Sequence, residues 1–512
     1  MHCLKSFGRV SFLNTIPKFL KKEEQKMNER NQTLKLPFAA SKKIVATALE
    51  KYIRESLSEP SEVLKQKAPE AIAESLNVKA IFEKGFENTE QLQAFITTYL
   101  ENTNHLKNPR YMGHQVAVPQ DLSGIPDWIH GTINNPSSLY EMGPAGATLE
   151  GFMINWMLDQ LGWFKGSDLS DFSRLSENGS GILTHGGSIA NMTALSAARA
   201  AIAPEAWEEG TPKDLVVMGP STSHYSIMRA LSIMGMGKKS FVPVPVDENE
   251  VILTHALEEV YAQIKKEGKR VMAVVANACA TSTGLFDPLD EMASFCKKHQ
   301  LWYHVDGAHG AVALLSKRYK QLVQGIEQAD SVIWDAHKML RVPALCTAVL
   351  FKNQKHMWNS FHQKGSYVFH ENEVVGMDSM PFTVECTKSA LGTKLFWSFA
   401  LEGEEAMVKF IENSFQQARE LYDFLNTHED FHCPYPPQSN ILCFQYKPGE
   451  LDDQQQLALR YELINSGEFY ITSCVVQGKR YLRTVLMNPL STFEDFHALS
   501  KAIEKHAKKF SN

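Results

Sequence analysis

The sequence predicts an α/β protein with a mainly parallel sheet covered on both faces, and three observations carry that reading. Short apolar runs of β type alternate with segments of helical periodicity from Gly181 to Leu350. Two of those runs, Leu301 to Val305 and Ser331 to Trp334, are separated by a helix-compatible segment, the pattern of a strand, a crossover and a second strand. The chain of 512 residues, 44% hydrophobic and 21% charged, is long enough for two or three domains and a large core.

Residues 1–30 stand apart. MHCLKSFGRVSFLNTIPKFLKK carries five Lys or Arg and no acid, a faint likeness to a presequence, but Asn14, Pro17 and Lys18 interrupt its apolar stretch. The expectation is a disordered basic tail, or a true start at Met27. From Ser41, a candidate cap, Val45, Leu49, Tyr52 and Ile53 share one helical face, and further helix runs through Ile72, Ile81, Phe82 and Leu92 to Leu100. Such an amphipathic layer needs a surface to cover. Asn108 to Gln120 (NPRYMGHQVAVPQ) breaks the helix as a connector or the lip of a site, and Asn134 to Glu150 is a turn-rich approach to a helix over Gly151 to Leu161.

Gly181 to Ala200 (GILTHGGSIANMTALSAARA) passes from an apolar run through Gly186-Gly187-Ser188 into a helix of small residues. Paired glycines at a helix start suit a bound anion, and they equally suit a tight turn kept for packing. The spacing is not that of a nucleotide loop. LVVMG (Leu215 to Gly219) is a strand, and the helix after it ends at Gly235 and Gly237. His224, at the junction between them, is a cap, a packed core residue, or a ring laid against an aromatic ligand. FVPVPV and VMAVVANA add strands; Leu257, Val260, Tyr261 and Ile264 mark one helix, and Asp287 to Lys298 another.

The run Leu301 to Val305 ends on Asp306, and the run from Ser331 leads into His337-Lys338. In parallel sheets the loops after the strands line the ligand crevice, so the acid and the lysine can face one site. That pair matches what pyridoxal phosphate requires: a lysine that holds the aldehyde as a Schiff base, and an acid that keeps the pyridine nitrogen protonated. Beyond Thr393-Lys394 one long helix to about Leu425 leads into strands ILCFQY, FYITSCVV and YLRTVLM, with a last helix capped by Ser491 and Glu494. These form a small α+β domain.

Composition excludes some classes. A net charge of -6 argues against a nucleic-acid surface. The eight cysteines are scattered with no CxxC pair, the pattern of reduced thiols in a cytoplasmic protein without a zinc site; no metal is expected. No apolar run is long enough for a membrane span.

Five motifs in order then carry a resemblance over residues 105–500. HGGSIANM (His185 to Met192), SHYSIMRA (Ser223 to Ala230), TSTGLFDPLDE (Thr281 to Glu291), HVDGAHG (His304 to Gly310) and ADSVIWDAHKML (Ala329 to Leu340) resemble the group II pyridoxal-phosphate-dependent amino acid decarboxylases, the glutamate, cysteine sulfinate and aromatic amino acid decarboxylase family. The resemblance implies the fold type I (aspartate aminotransferase-like) architecture with a seven-stranded sheet. It divides the chain into a helical dimerisation segment (31–110), a large cofactor domain (111–385) and a small domain (386–512). It implies a homodimer with the site at the subunit interface. Carried over by position, Lys338 binds the cofactor, Asp306 pairs with its ring nitrogen, Ala308 packs under the ring, and His224 stacks opposite and helps protonate the product. Gly187 and Ser188 hold the phosphate with His337 beside them, Thr281 sits near the cofactor, and Arg483 binds the substrate carboxylate.

The departures bear on outcome. Ala280 and Gly307 stand where threonine and alanine are usual, and Lys388 replaces a common arginine. The family's mobile loop falls near Gly365 to Phe382, where many members carry a proton-returning tyrosine; here Met377 lies near that point and no tyrosine occurs between Val368 and Phe382. The wording around Lys338 resembles the acidic-substrate branch, so glutamate, aspartate or cysteine sulfinate is expected, with His114 where that branch has a substrate-contacting glutamine. An aromatic substrate, an aldehyde-forming oxidative deamination, and a catalytically silent cofactor-binding dimer are the alternatives.

Overall fold

The computed structural model describes residues 35–58, 62–64, 66–172, 178–358, 360–361 and 378–510. The expectations for residues 1–30 and for Met377 lie outside them. The chain forms two compact units, one ending at Asn108 and one running from Pro109 to Asn512.

The first unit is helical: Phe38–Leu57, Pro69–Ser75, Val78–Lys84 and Thr89–Glu101. The Tyr52 hydroxyl donates to the Asn104 carbonyl at 2.9 Å, and its ring stacks on His105 at 4.8 Å, which tie the long helix to the end of the last one. Ser41 is not the cap. The helix starts three residues earlier behind Pro37, whose fixed φ suits a helix entry, and Ser41 N–H already bonds to the Pro37 carbonyl at 2.9 Å.

The second unit is built on a seven-stranded sheet of order β1-β7-β6-β5-β4-β2-β3. The strands are β1 (Ser180–Thr184), β2 (Leu215–Pro220), β3 (Phe241–Val244), β4 (Arg270–Asn277), β5 (Tyr303–Asp306), β6 (Ser331–Asp335) and β7 (Thr347–Phe351). β3, β2, β4, β5 and β6 run parallel, and β7 is antiparallel to β6 and β1. β2, β5, β6 and β7 are buried at every position, because helices cover both faces; this is why their sequences read as unbroken apolar runs rather than as alternation. The crossover between β5 and β6 is not an α-helix. It is three short 3-10 turns, Gly310–Leu315, Lys320–Val323 and Ile326–Gln328. Gly325 divides the last two in a left-handed conformation (φ +97°), and there a Cβ would meet the Asp290 backbone at 2.5 Å.

A second, antiparallel sheet follows: β8 (Phe431–His432), β9 (Ile441–Tyr446), β10 (Thr472–Val476) and β11 (Lys479–Val485), in the order β10-β11-β9-β8. The single helix expected to lead into it is two, Leu391–Glu402 and Glu404–Asn426, divided at Gly403 with φ +84°. The last helix, Phe493–Ala507, is capped one residue later than expected, by a reciprocal box of Thr492 and Asp495. Among the described residues no helix is long and apolar enough to cross a membrane.

Candidate active site

Three of the parallel strands end on polar residues: β4 on Asn277, β5 on Asp306 and β6 on Asp335. β2 is followed by His224, which caps the helix Tyr225–Ile233. These carboxyl ends open into a cavity of about 370 Å³. Gly187, Ser188, His224, Thr281, Asp306, Ala308, His337 and Lys338 all line it, so eight sequence-predicted positions share one space.

β1 delivers the chain to the helix Gly187–Ile202 through Gly186, whose φ of +114° only glycine adopts readily. No side chain caps that helix, so its first N–H groups are offered to the cavity. A Cβ on Gly187 would stand 3.2 Å from Asp335 Oδ1, which makes glycine the residue that fits.

The Lys338 amine lies 3.1 Å from Asp335 Oδ2, and His337 Nε2 is 3.7 Å from the same oxygen. Thr347 donates its hydroxyl to the other oxygen. Burial alone pushes the Asp335 pKa up, but Lys338, His337 and the Thr347 hydrogen bond outweigh it and hold the carboxyl below its ordinary value. His337 turns Nδ1 to the Cys346 backbone, 2.9 Å from its carbonyl. His224 is held below its ordinary value by burial, with the Lys338 and Arg229 cations adding to it against Asp306 and Asp335. Burial, helped by Lys338, lowers His309 to about 3, and burial raises the Cys279 thiol to about 11. Both are neutral at pH 7.

Two expected substrate contacts differ. His114 does not line the cavity; Gln115 does. Tyr111 makes an isolated bridge to Tyr470, with Met112 N–H bonded to the Tyr470 carbonyl at 2.9 Å, and the chain then bends at His114 and Gln115. His114 faces Tyr470, and its pKa is lowered by desolvation and then by Arg483 and Arg460. Arg483 also lies off the lining. It donates from Nε to the Ser282 carbonyl (3.0 Å), from Nη2 to the Thr281 carbonyl (2.7 Å) and from Nη1 to Thr472 Oγ1 (3.1 Å). Two of these bonds brace the loop that carries Thr281 and the third ties the arginine to β10, and two of the five guanidinium N–H groups remain. Lys388 also lies off the lining: it is buried against Glu150 and donates to the Leu183 carbonyl at 2.9 Å.

Sequence reasoning missed Asp335, Asn191, Gln115, Asn277 and His309. Asp335 stood three positions before Lys338, a spacing that brings two side chains together across one turn. Asn191, whose amide nitrogen is 3.0 Å from Asp306 Oδ2, had no such signal.

Open α/β sheets bind ligands at this carboxyl edge, and an uncapped helix start beside a lysine defines the class of enzymes that anchor a phosphorylated cofactor there. The family is narrower: residues 70–447 match the pyridoxal-dependent decarboxylase conserved domain, and the chain belongs to that family. It is a carboxy-lyase that uses pyridoxal phosphate to decarboxylate an amino acid. The acidic amino acid decarboxylase GADL1 of Homo sapiens is 27% identical over 425 residues, 79% of this chain and 78% of that one. Its Mus musculus counterpart is 28% identical over 78% and 74% of the two chains. The crystal structure of mouse CSAD superimposes with a TM-score of 0.84 at 24% identity, over 92% of this chain and 98% of that one. Rhodiola rosea 4-hydroxyphenylacetaldehyde synthase superimposes at 0.79 with 17% identity, over 93% and 98%. These last two likenesses show the fold.

Proposed function

We propose that the enzyme decarboxylates an acidic L-amino acid (glutamate, aspartate or cysteine sulfinate) to its amine and carbon dioxide. The observation that carries this reading is the donor set at the cavity: Gln115 Nε2 and Asn277 Nδ2 are buried without partners among the described residues, with Arg483 and His114 behind them. Donors in excess fit a ligand rich in carboxylate oxygens. The relatives named as acidic amino acid decarboxylases support it.

The residues fit pyridoxal phosphate. An uncapped helix start suits its phosphate, a strand-end carboxylate its ring nitrogen, and an amine at the cavity its aldehyde. When bound, the cofactor supplies an electron sink for the bond broken at the α-carbon. Lys338 would hold it, and Asp335, 3.1 Å from the amine, would balance the charge of the lysine whenever that amine is free. Gly187 and Ser188 offer N–H groups to the phosphate, with His337 alongside. Asp306 would keep a proton on the ring nitrogen, His224 and Ala308 would pack against the ring, and Thr281 would lie near it. Arg483 offers its two remaining N–H groups to the substrate. Asp306, His309 and Asp335 are buried, which strengthens the interactions made there.

A second reading rests on the missing tyrosine between Val368 and Phe382: without that acid, dioxygen would take the electron pair that a proton otherwise quenches, and with water the products would be aldehyde, ammonia, carbon dioxide and hydrogen peroxide in place of the amine. We also propose a cytoplasmic homodimer with its sites at the interface. The support is the first unit, where Phe82 is 91% exposed and Phe38 and Leu49 also face outward. Monomeric sedimentation of fully active enzyme would refute the dimer. For the reaction, the loaded enzyme is given glutamate, aspartate, cysteine sulfinate, tyrosine and tryptophan, and carbon dioxide, amine and peroxide are followed together. Amine from one acidic substrate supports the first reading, and peroxide in its place the second. Turnover of only the aromatic substrates sinks the acidic assignment.

A further inference from the structure

A single line of hydrogen bonds runs through the sheet beneath the cavity. Trp302 Nε1 is 3.0 Å from Ser331 Oγ, Ser331 Oγ is 2.8 Å from His304 Nδ1, and His304 Nε2 is 2.9 Å from Asn191 Oδ1. Asn191 Nδ2 then reaches both Asp306 Oδ2 at 3.0 Å and Ser226 Oγ at 2.9 Å. Ser226 Oγ ends the line 2.7 Å from His224 Nδ1, which also receives the Ser226 backbone N–H at 3.3 Å. Asn191, His304, Ser331 and Ser226 are buried to within 1% of completely.

The chemistry of the ends gives every hydrogen in the line one position. Indole only donates and an ionised carboxylate only accepts. The Asn191 atom facing Asp306 is therefore the amide nitrogen, and its oxygen faces His304 and requires a hydrogen on His304 Nε2. Burial lowers His304 to about 4, so the ring is neutral and its Nδ1 must accept from Ser331. Ser331 in turn accepts from Trp302. At the other end both amide hydrogens of Asn191 are used, one on Asp306 and one on Ser226. Ser226 therefore directs its own hydroxyl hydrogen at His224 Nδ1.

We propose that Asn191 and Ser226 are positioning residues that fix His224 as the Nε2–H tautomer, a hydrogen-bond donor toward the cavity, while the same amide aims Asp306. This deepens, and rests on, the decarboxylase reading. His224 then presents a proton it can share but no free lone pair, so it cannot serve as a base from Nε2. Asn191 couples two groups of the cavity wall: the acid that would hold the ring nitrogen and the imidazole of His224 share one side chain, directly and through Ser226.

The test labels histidine with 15N in the full-length enzyme, free and loaded with pyridoxal phosphate, and assigns His224 by its loss in His224→Gln. The expected spectrum at pH 7 has His224 Nδ1 unprotonated and Nε2 protonated in both forms. Two variants separate the branches, with cofactor affinity read by absorbance titration. Ser226→Ala should shift the Nδ1 resonance and lower kcat by about tenfold, leaving cofactor affinity within about twofold. Asn191→Asp, which replaces both amide hydrogens by acceptors, should weaken cofactor binding by at least about tenfold as well. A protonated Nδ1 in the unaltered protein overturns the proposal, as does an Nδ1 resonance unmoved in Ser226→Ala. The spectrum does not depend on turnover, so an inactive enzyme with the expected tautomer would overturn the decarboxylase reading alone.

Discussion

The two walls of the cavity are differently finished. On the wall of Asp306, Asn191, His304, Ser226 and Ser331, the side-chain polar atoms along the line are paired from the indole of Trp302 to His224 Nδ1. On the wall of Gln115, Asn277 and His309, one polar atom of each residue has none among the described residues, although Asn277 and His309 are 3% and 2% exposed. A buried polar atom without a partner costs about 1–3 kcal/mol. Up to His224 Nδ1 the first wall is therefore complete before any ligand arrives, which suits a cofactor that stays. The second is completed by a ligand, which suits a substrate that comes and goes.

The largest effect comes from breaking the junction of the two walls. Lys338→Ala should remove decarboxylation by on the order of 10³-fold or more, together with the visible absorbance of the bound cofactor. Asp335 would then be left buried without its 3.1 Å partner, so loss of thermal stability should accompany the loss of activity. Substantial turnover in this variant would remove Lys338 from the chemistry and leave both walls unexplained.

A loss nearly as large, but of another kind, is expected behind the walls. Lys388 and Glu150 form a fully buried ion pair, and Glu150 Oε1 also accepts from Leu183 N–H at 3.0 Å. Lys388→Met leaves a buried carboxylate facing one amide, at a loss of about 3–5 kcal/mol. Denaturant midpoints should fall while the kcat of the folded fraction holds. A reduced kcat with unchanged stability would return Lys388 to the site.

Lys388 also shows where the sequence stopped being legible. It stands where the family has an arginine, which suggests a role at the ligand, yet its partner Glu150 lies 238 positions away and only the fold brings them together. Asp306, Lys338, His224 and the paired glycines were legible because each ends an apolar run, and strand ends in a parallel sheet converge. Asn191 was not: it sits among small residues on a helix, and its partners come from β5 and from the helix after β2. Gln115 was missed by one position, because local sequence does not say which of two neighbours at a bend faces inward. Gly403 and the 3-10 turns after β5 are breaks in otherwise helical composition, set by packing rather than by periodicity.

The finished wall has its own signature in acid. An unfolded histidine titrates near 6.5, and His304 in the folded protein near 4. Between those values the unfolded chain holds the extra proton, so the stability from this residue is full above pH 6.5 and is lost as pH falls toward 4. Two to three units correspond to on the order of 3 kcal/mol. His304→Gln removes the titrating group, and urea midpoints across that window should fall less steeply in the variant than in the unaltered protein. Parallel curves would mean that His304 is not held neutral, and the direction of the whole hydrogen-bonded line would fail with it.

The smallest effect is expected on the unfinished wall. Gln115→Leu keeps most of the volume of a half-buried side chain and removes the donor that faces the cavity. One neutral hydrogen bond to a substrate oxygen is worth about 1 kcal/mol, a factor of roughly five. If that bond is made equally in the bound substrate and in the transition state, KM rises by this factor and kcat stays. The rise should be confined to acidic substrates, since an apolar side chain has no oxygen for Gln115 to meet. A fall in kcat at constant KM would instead give Gln115 a part in the bond-breaking step, and the division between a wall built for the cofactor and a wall built for the substrate would then be wrong at this residue.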